Sequence, residues 1–186
     1  KGAIIRKELE DFSRAEHVKA GYEFAYTPHI SKSELFEKSG HLGFYRESMY
    51  PGLESEGTSY HLKPMNCPMH NLIFESKLRS YRELPIRIFE LGTVYRFEKS
   101  GQMHGTARAR GFTQDDSHIY CTQEQVVPIL NELLDFVLYM LRILGFEKFE
   151  ADLSTKPEKA IGGQADWDMA EQALKNSLDK SGLTYK

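Results

Sequence analysis

Two strand-forming runs, Ile86 to Phe97 and Ala109 to Tyr120, lie either side of the polar stretch Glu98 to Arg108. The first is apolar and aromatic over more than ten residues, interrupted by Gly92, and reads as a long central strand. The stretch between them carries Ser100, Gly101, His104 and Gly105 and reads as a mobile loop. A long antiparallel hairpin follows, and with it a sheet onto which helices must pack.

The other elements fit around that hairpin. Ile4, Ile5, Leu9, Phe12 and Val18 recur at helical spacing, which predicts a helix from Gly2 to Ala20 stopped by Gly21. Tyr22 to Thr27 alternates and is aromatic, so it predicts a strand that ends at Pro28. Residues Ser31 to Ser59 read as a loop-rich connection with a short helix near Lys32 to Ser39. Tyr60 to Pro64 is a short strand candidate, and Pro68 opens a helix running to Ser76. Gln123 to Leu144 has aliphatic residues at helical spacing, capped by Thr122 and stopped by Gly145; its wide apolar face is expected on the sheet. Phe146 to Leu153 is a further strand candidate, and Asp166 to Lys180 a last amphipathic helix ending at Gly182. Hairpins mixed with helices, without regular strand-helix alternation, predict the α+β class with helices on an antiparallel sheet.

With 186 residues, 40% of them hydrophobic, the chain can bury a core, and one domain over 1–186 is expected. Lysine and arginine number 24 against 27 acidic residues, so a net charge of −3 gives no footprint for non-specific nucleic-acid binding. Two cysteines, Cys67 and Cys121, are too few for a disulfide framework and suit a reducing, cytoplasmic setting. No long apolar run marks a signal peptide or membrane span. A chain that opens inside a helical pattern and stops at Leu183-Thr184-Tyr185-Lys186 reads as an excised piece.

Chemistry concentrates at the hairpin. Arg96 and Glu98 end the first strand, and Arg108 and Phe112 open the second. An arginine and an aromatic ring on partnered strands can face one ligand, the guanidinium on a phosphate and the ring on a flat base. Glu98 can accept from an exocyclic amine. Without a glycine-rich phosphate loop, a nucleotide would have to be held by side chains like these. The plainer reading is a strand-edge ion pair between Arg96 and Glu98.

The pattern Arg96-x-Glu98, loop, Arg108-x-x-x-Phe112 resembles motif 2 of the class II aminoacyl-tRNA synthetases. The resemblance implies that Arg96 holds the α-phosphate of ATP, Glu98 the adenine amine and Arg108 the distal phosphates, with Phe112 stacked on the base and Mg²⁺ accompanying the nucleotide. Upstream, helix, Gly21, strand and Pro28 resemble motif 1, which implies a homodimer interface.

Lys63-Pro64-Met65-Asn66-Cys67-Pro68-Met69-His70 and Gln114-Asp115-Asp116-Ser117-His118 resemble the segments of the threonyl-specific members. They imply activation of threonine to threonyl-adenylate and transfer to tRNA(Thr), with Cys67 and His118 as two protein ligands of Zn²⁺. Zinc accepts thiolate and imidazole, and an open position can take the substrate's amino and hydroxyl groups. An apolar pocket separates threonine from isosteric valine by roughly 10²-fold, whereas a site that must ligate a hydroxyl rejects valine far more strongly. Asp116 would then pair with the substrate ammonium, Gln114 with its carboxylate or the adenylate, and Met65 would line the pocket. A histidine at the place of His41 lies near the tRNA acceptor end and assists transfer, which imidazole chemistry allows.

Plainer readings stand beside these. A cysteine next to proline is commonly a small buried hydrophobe, and Cys121 is read that way; His70 is either a support for the metal ligands or a packing residue. Motif 3, the histidine that completes the zinc ligands, an editing region and an anticodon-binding domain are not within these residues, so poor activity of this stretch alone is expected. Two competing readings are a seryl- or prolyl-type synthetase, and a non-catalytic module that keeps the fold for RNA binding or dimerisation.

Overall fold

The predicted first helix forms as α1 (Gly2–Lys19), and Gly21 ends it with a φ of 81°, a left-handed conformation that glycine adopts without strain. The computed structural model describes residues 1–157 and 160–186, which divide into two compact units, Lys1–Tyr120 and Cys121–Lys186. The buried positions of α1 are Ser13 and His17, whereas Ile4, Ile5, Leu9 and Val18 of the apolar stripe are exposed. Ser13 Oγ donates to Asp115 Oδ2 at 2.7 Å, and the His17 ring stacks on Phe89 at 3.8 Å.

The main sheet of the first unit has the order β1-β5-β6. Its centre is the predicted hairpin, β5 (Ile86–Tyr95) against β6 (Gly111–Tyr120), antiparallel from Ile86↔Tyr120 to Tyr95↔Gly111. On the other edge of β5, β1 (Glu23–Phe24) pairs in parallel. This strand is shorter than the alternation of Tyr22 to Thr27 predicts. Ala25 N–H still reaches Phe89 O, but Thr27 N–H is taken by the Glu90 carboxylate at 2.8 Å and Pro28 has no donor.

A second, smaller sheet joins the strand expected at Tyr60 to two strands in the stretch read as loop. Its strands are β2 (Ile30–Lys32), β3 (Leu53–Ser55) and β4 (Thr58–Leu62), in the antiparallel order β2-β4-β3. The β3–β4 turn is Glu56-Gly57, both at positive φ (51° and 75°), the two-residue geometry whose twist matches that of the strands. Between β2 and β3 lie α2 (Ser33–Lys38) and α3 (His41–Phe44). Phe36 of α2, Met49 and Met69 form a buried cluster flanked by Leu35 and Leu42. Met69 belongs to α4 (Cys67–Glu75), which has Pro68 in its first turn, where no donor is needed.

In the second unit, a capping box between Thr122 and Gln125 precedes α5 (Val126–Ile143), which packs against α6 (Gln164–Ser181). Gly182 closes α6 at φ 72°, as its sequence predicts. The strand expected over Phe146 to Leu153 is not formed. Ala151 makes an isolated bridge to Tyr185, and without a longer backbone partner in this unit no ladder can propagate. No helix among the described residues is long and apolar enough to cross a membrane.

Candidate active site

Residues directly opposite in an antiparallel pair share a face, and the face alternates along each strand. The pairs Ile88↔His118, Glu90↔Asp116, Gly92↔Gln114 and Val94↔Phe112 therefore line one face of the β5–β6 hairpin. Thr93, Thr113, Asp115 and Phe89 belong to the other, where α1 docks through Arg6, Ser13 and His17. One period-2 pattern thus puts Phe112, Gln114, Asp116 and His118 in a row.

At the open end of the row, Arg96 N–H continues the ladder to Arg110 O. The Arg96 guanidinium lies over the Phe112 ring, 5.2 Å from its centroid, and its Nε donates to Pro64 O at 3.3 Å. Two fixed contacts hold this fork in one orientation while leaving its terminal nitrogens for an anion. Glu98 and Arg108 are paired with each other: Arg108 Nη2 and Nε donate to Glu98 Oε2 at 2.8 and 3.0 Å. Arg110 Nε holds the Glu98 carbonyl at 3.0 Å. The four predicted nucleotide residues are thus gathered at one end of the hairpin.

The segment between β4 and α4 runs along the row, from Pro64 beside Arg96 to Asn66 beside Asp116. Cys67 begins α4, with its sulfur 3.5 Å from His41 Nε2, and His41 Nδ1 is 2.9 Å from Ser39 Oγ. Burial pushes the Cys67 thiol above its ordinary range, and the nearby charge of Asp116 adds to this. Tyr120 is raised to about 12, by burial and then by the charges of Cys67 and Glu75. Cys67 is thus electrostatically coupled to both residues that flank His118 on its face, Asp116 and Tyr120. Burial lowers His118 and His41 and favours neutral imidazoles. Met65 is half-buried in the same segment, and Gln114 stands opposite Gly92.

A cysteine beside a carboxylate is one that a cation would favour as thiolate, and neutral imidazole is the ligating form of histidine. The donor chemistry of Cys67 and His118 therefore suits zinc. No group of three or more histidine, cysteine, aspartate or glutamate side chains with metal-site geometry occurs among the described residues, so these two do not make a closed site. Cys121, assigned no ligand role, lies in the second unit and has its thiol raised by burial.

Four residues outside the predicted binding set support the row. Lys63 and His70 are fully buried and Glu90 nearly so. Lys63 Nζ donates to Thr27 Oγ1 at 2.7 Å and lies 3.4 Å from Glu90 Oε1; His70 Nε2 lies 3.2 Å from Glu90 Oε2. Burial alone would raise the Glu90 carboxyl, but hydrogen bonds from His70 and Thr27 and the Lys63 ammonium outweigh it and hold it at about 2. The signal for Glu90 is a lone carboxylate at the centre of a mostly apolar strand, a position tolerated only with partners.

The fourth is Asn66, fully buried, whose Nδ2 donates to Asp116 Oδ2 at 2.9 Å. Asn66 fits because Gly92 has no side chain: a Cβ there would run into the Asn66 amide. Gly92→Ala should therefore destabilise the fold by about 1–3 kcal/mol, as overpacking does. It should also loosen Asp116, so that resistance to urea falls and the Asp116 carboxylate resonance shifts together. An alanine variant with both unchanged would show that the close approach has no consequence.

Residues 50–181 match the family model described as the tRNA synthetase class II core domain (G, H, P, S and T). A threonine–tRNA ligase of Nitrosococcus oceani is 56% identical over 184 residues, which is 99% of this chain and 29% of that protein. One from a Sulfurihydrogenibium species is 53% identical over 186 residues, 100% of this chain and again 29% of the relative. The chain thus spans less than a third of the length of the curated relatives it matches. Among solved structures, the RNA binding domain of threonyl-tRNA synthetase from Cryptosporidium parvum superposes with a TM-score of 0.92 at 40% identity, covering 100% of this chain and 46% of that one. The sheet, the row of side chains along its hairpin and a family match over well more than half of the residues agree: this chain belongs to the class II tRNA synthetase core family, and along its whole length it is similar to threonine–tRNA ligases.

Proposed function

We propose that the protein to which these residues belong is a cytoplasmic threonine–tRNA ligase, which activates threonine with ATP and Mg²⁺ and transfers it to tRNA(Thr). The observation that carries the reading is the single row from Arg96 to His118, with nucleotide-type groups at one end and the His118 imidazole, next to Asp116 on the same face, at the other. Arg96 takes the α-phosphate as the carboxylate attacks it, and its fixed orientation means no reorganisation as charge develops there. Phe112 offers a flat surface to adenine. Glu98 and Arg108 hold each other until the nucleotide separates them, which costs little for an ion pair whose arginine is half exposed.

Asp116, held by Asn66, pairs with the substrate ammonium, and Gln114 with its carboxylate. Cys67 and His118 are the residues of this chain that would hold zinc. When bound, zinc supplies a Lewis-acid position that rewards a side-chain hydroxyl. His41 would serve the later transfer to the tRNA acceptor end; its contact with Cys67 supports that role. The exposed Ile4, Ile5, Leu9 and Val18 on α1 support the homodimer reading, because such a stripe ordinarily seeks a partner. With two of the metal's ligands, the 186 residues by themselves should exchange poorly.

The decisive measurement is amino-acid-dependent ATP–pyrophosphate exchange by the full-length protein. Threonine should support exchange at least about 10⁴-fold better than valine. Cys67→Ala should lose both the metal and the exchange. A preference for serine or proline, or full exchange in the alanine variant, would rule out the threonyl assignment. No exchange with any amino acid would favour the non-catalytic module.

A further inference from the structure

His70 joins the buried ion pair to the row of the site. Its ring is fully buried, with Nε2 3.2 Å from Glu90 Oε2 and Nδ1 2.7 Å from His118 Nδ1. An ionised carboxylate only accepts, so the proton on that side belongs to His70 Nε2. One proton serves the two Nδ1 atoms. Were it on His70, that ring would carry both protons and a positive charge with no solvent exposure. Glu90 is already paired with Lys63, so a second cation would be buried without its own counter-ion, which is strongly unfavourable. The proton therefore sits on His118 Nδ1, donated to a bare His70 Nδ1. Asp116 Oδ1, 3.9 Å from His118 Nδ1, is too far to compete for it.

We propose that Glu90 and His70 form a positioning pair that fixes His118 in its Nδ1–H tautomer, so that the lone pair is on Nε2 and available to a metal. This rests on the zinc reading of Cys67 and His118 given above. His118 Nε2 has no hydrogen-bond partner among the described residues, as a nitrogen kept for a metal requires. The pair orients a ligand through its other ring nitrogen, which is how imidazole ligands are commonly held. The chain of contacts also explains how a glutamate is accommodated in the apolar centre of β5.

Two readouts test the proposal. Nitrogen NMR of metal-free protein, isotope-labelled on histidine, should show His118 protonated on Nδ1. His70→Leu, which leaves that proton without an acceptor, should abolish the preference and weaken zinc binding by about 10- to 100-fold in competition with a chromophoric chelator. His70→Asn places an oxygen near the position of Nδ1 and should restore most of both, which a purely structural role for the ring would not predict. Protonation of His118 on Nε2 in the wild-type protein overturns the proposal, even if the leucine variant fails to fold. So does wild-type zinc affinity in His70→Leu. Undiminished zinc binding by Cys67→Ala would instead overturn the zinc reading, and the proposal with it; the metal-free tautomer measurement tells the two failures apart.

Discussion

Arg96→Ala in the full-length protein should, on the ligase reading proposed above, lower threonine-dependent pyrophosphate exchange by about 10²–10³-fold, the loss typical of removing one preorganised group that meets developing charge. The size follows from how the side chain is held. Its Nε is fixed on Pro64 O and its plane lies over Phe112, so a bound α-phosphate meets a fork already aimed. Arg96→Lys should be nearly as damaging, because an ammonium can neither reproduce the planar contact with the ring nor offer two parallel donors. Arg108→Ala should cost less, since that arginine is half exposed and already engaged with Glu98. Neither change at Arg96 should greatly alter unfolding, as no buried charge is left behind. Exchange by Arg96→Ala within a few-fold of wild type would remove the nucleotide reading of the hairpin.

The parts of this site that sequence could reveal are those where one residue type has few substitutes. Arg96, Glu98, Arg108 and Phe112 are legible because two strand-forming runs with a polar loop between them must pair, and pairing fixes which side chains share a face. The helices α1 and α6 are legible through period and the glycines that stop them. The small sheet is legible only in its central strand, β4, which overlaps the strand expected from Tyr60. Its turn is Glu56-Gly57, and glutamate is rarely the first residue of such a turn, so the usual Asn-Gly or Asp-Gly signal is missing. Its outer strands, β2 and β3, are three residues long each, too short for alternation to rise above chance.

Phe146 to Leu153 misleads for the opposite reason. Its aromatic content suits a strand, but strand formation depends on a partner, and the local contact is one bridge to Tyr185. The apolar stripe of α1 marks the helix correctly but not its packing: the positions that dock are Ser13 and His17, chosen by hydrogen bonding and stacking with the sheet. Glu90 and the partnership of Lys63 are hidden in the sequence, and the role of His70 stays open there, because a buried polar network has no period. Each is intelligible only once the strand pairing brings the others to it.

Glu90→Ala should be among the most destabilising single changes in the chain, at about 3–5 kcal/mol, because it leaves the Lys63 ammonium fully buried without a counter-charge. It also strips Thr27 N–H and His70 Nε2 of their acceptor. Glu90→Gln, with similar shape, should recover part of the hydrogen bonding but not the charge balance. Combining it with Lys63→Met should be less harmful than the two single costs added together, since the unpaired ammonium then disappears. The same network gives stability an acid dependence. The Glu90 carboxyl is depressed from the ordinary 4.5 to about 2 in the folded chain. A depressed acid contributes stability that is fully present above its unfolded value and is lost as pH falls through the folded one. That contribution, on the order of 3 kcal/mol at about 1.4 kcal/mol per pH unit, should fade between about pH 4.5 and about 2. Glu90→Gln should lack it. Urea unfolding of wild type and variant at neutral pH and near pH 3 measures the difference directly. If glutamine at position 90 cost no more than the same change at exposed Glu8, and left the acid dependence intact, the buried ion pair would not be what holds β1, β5 and the segment before α4 together.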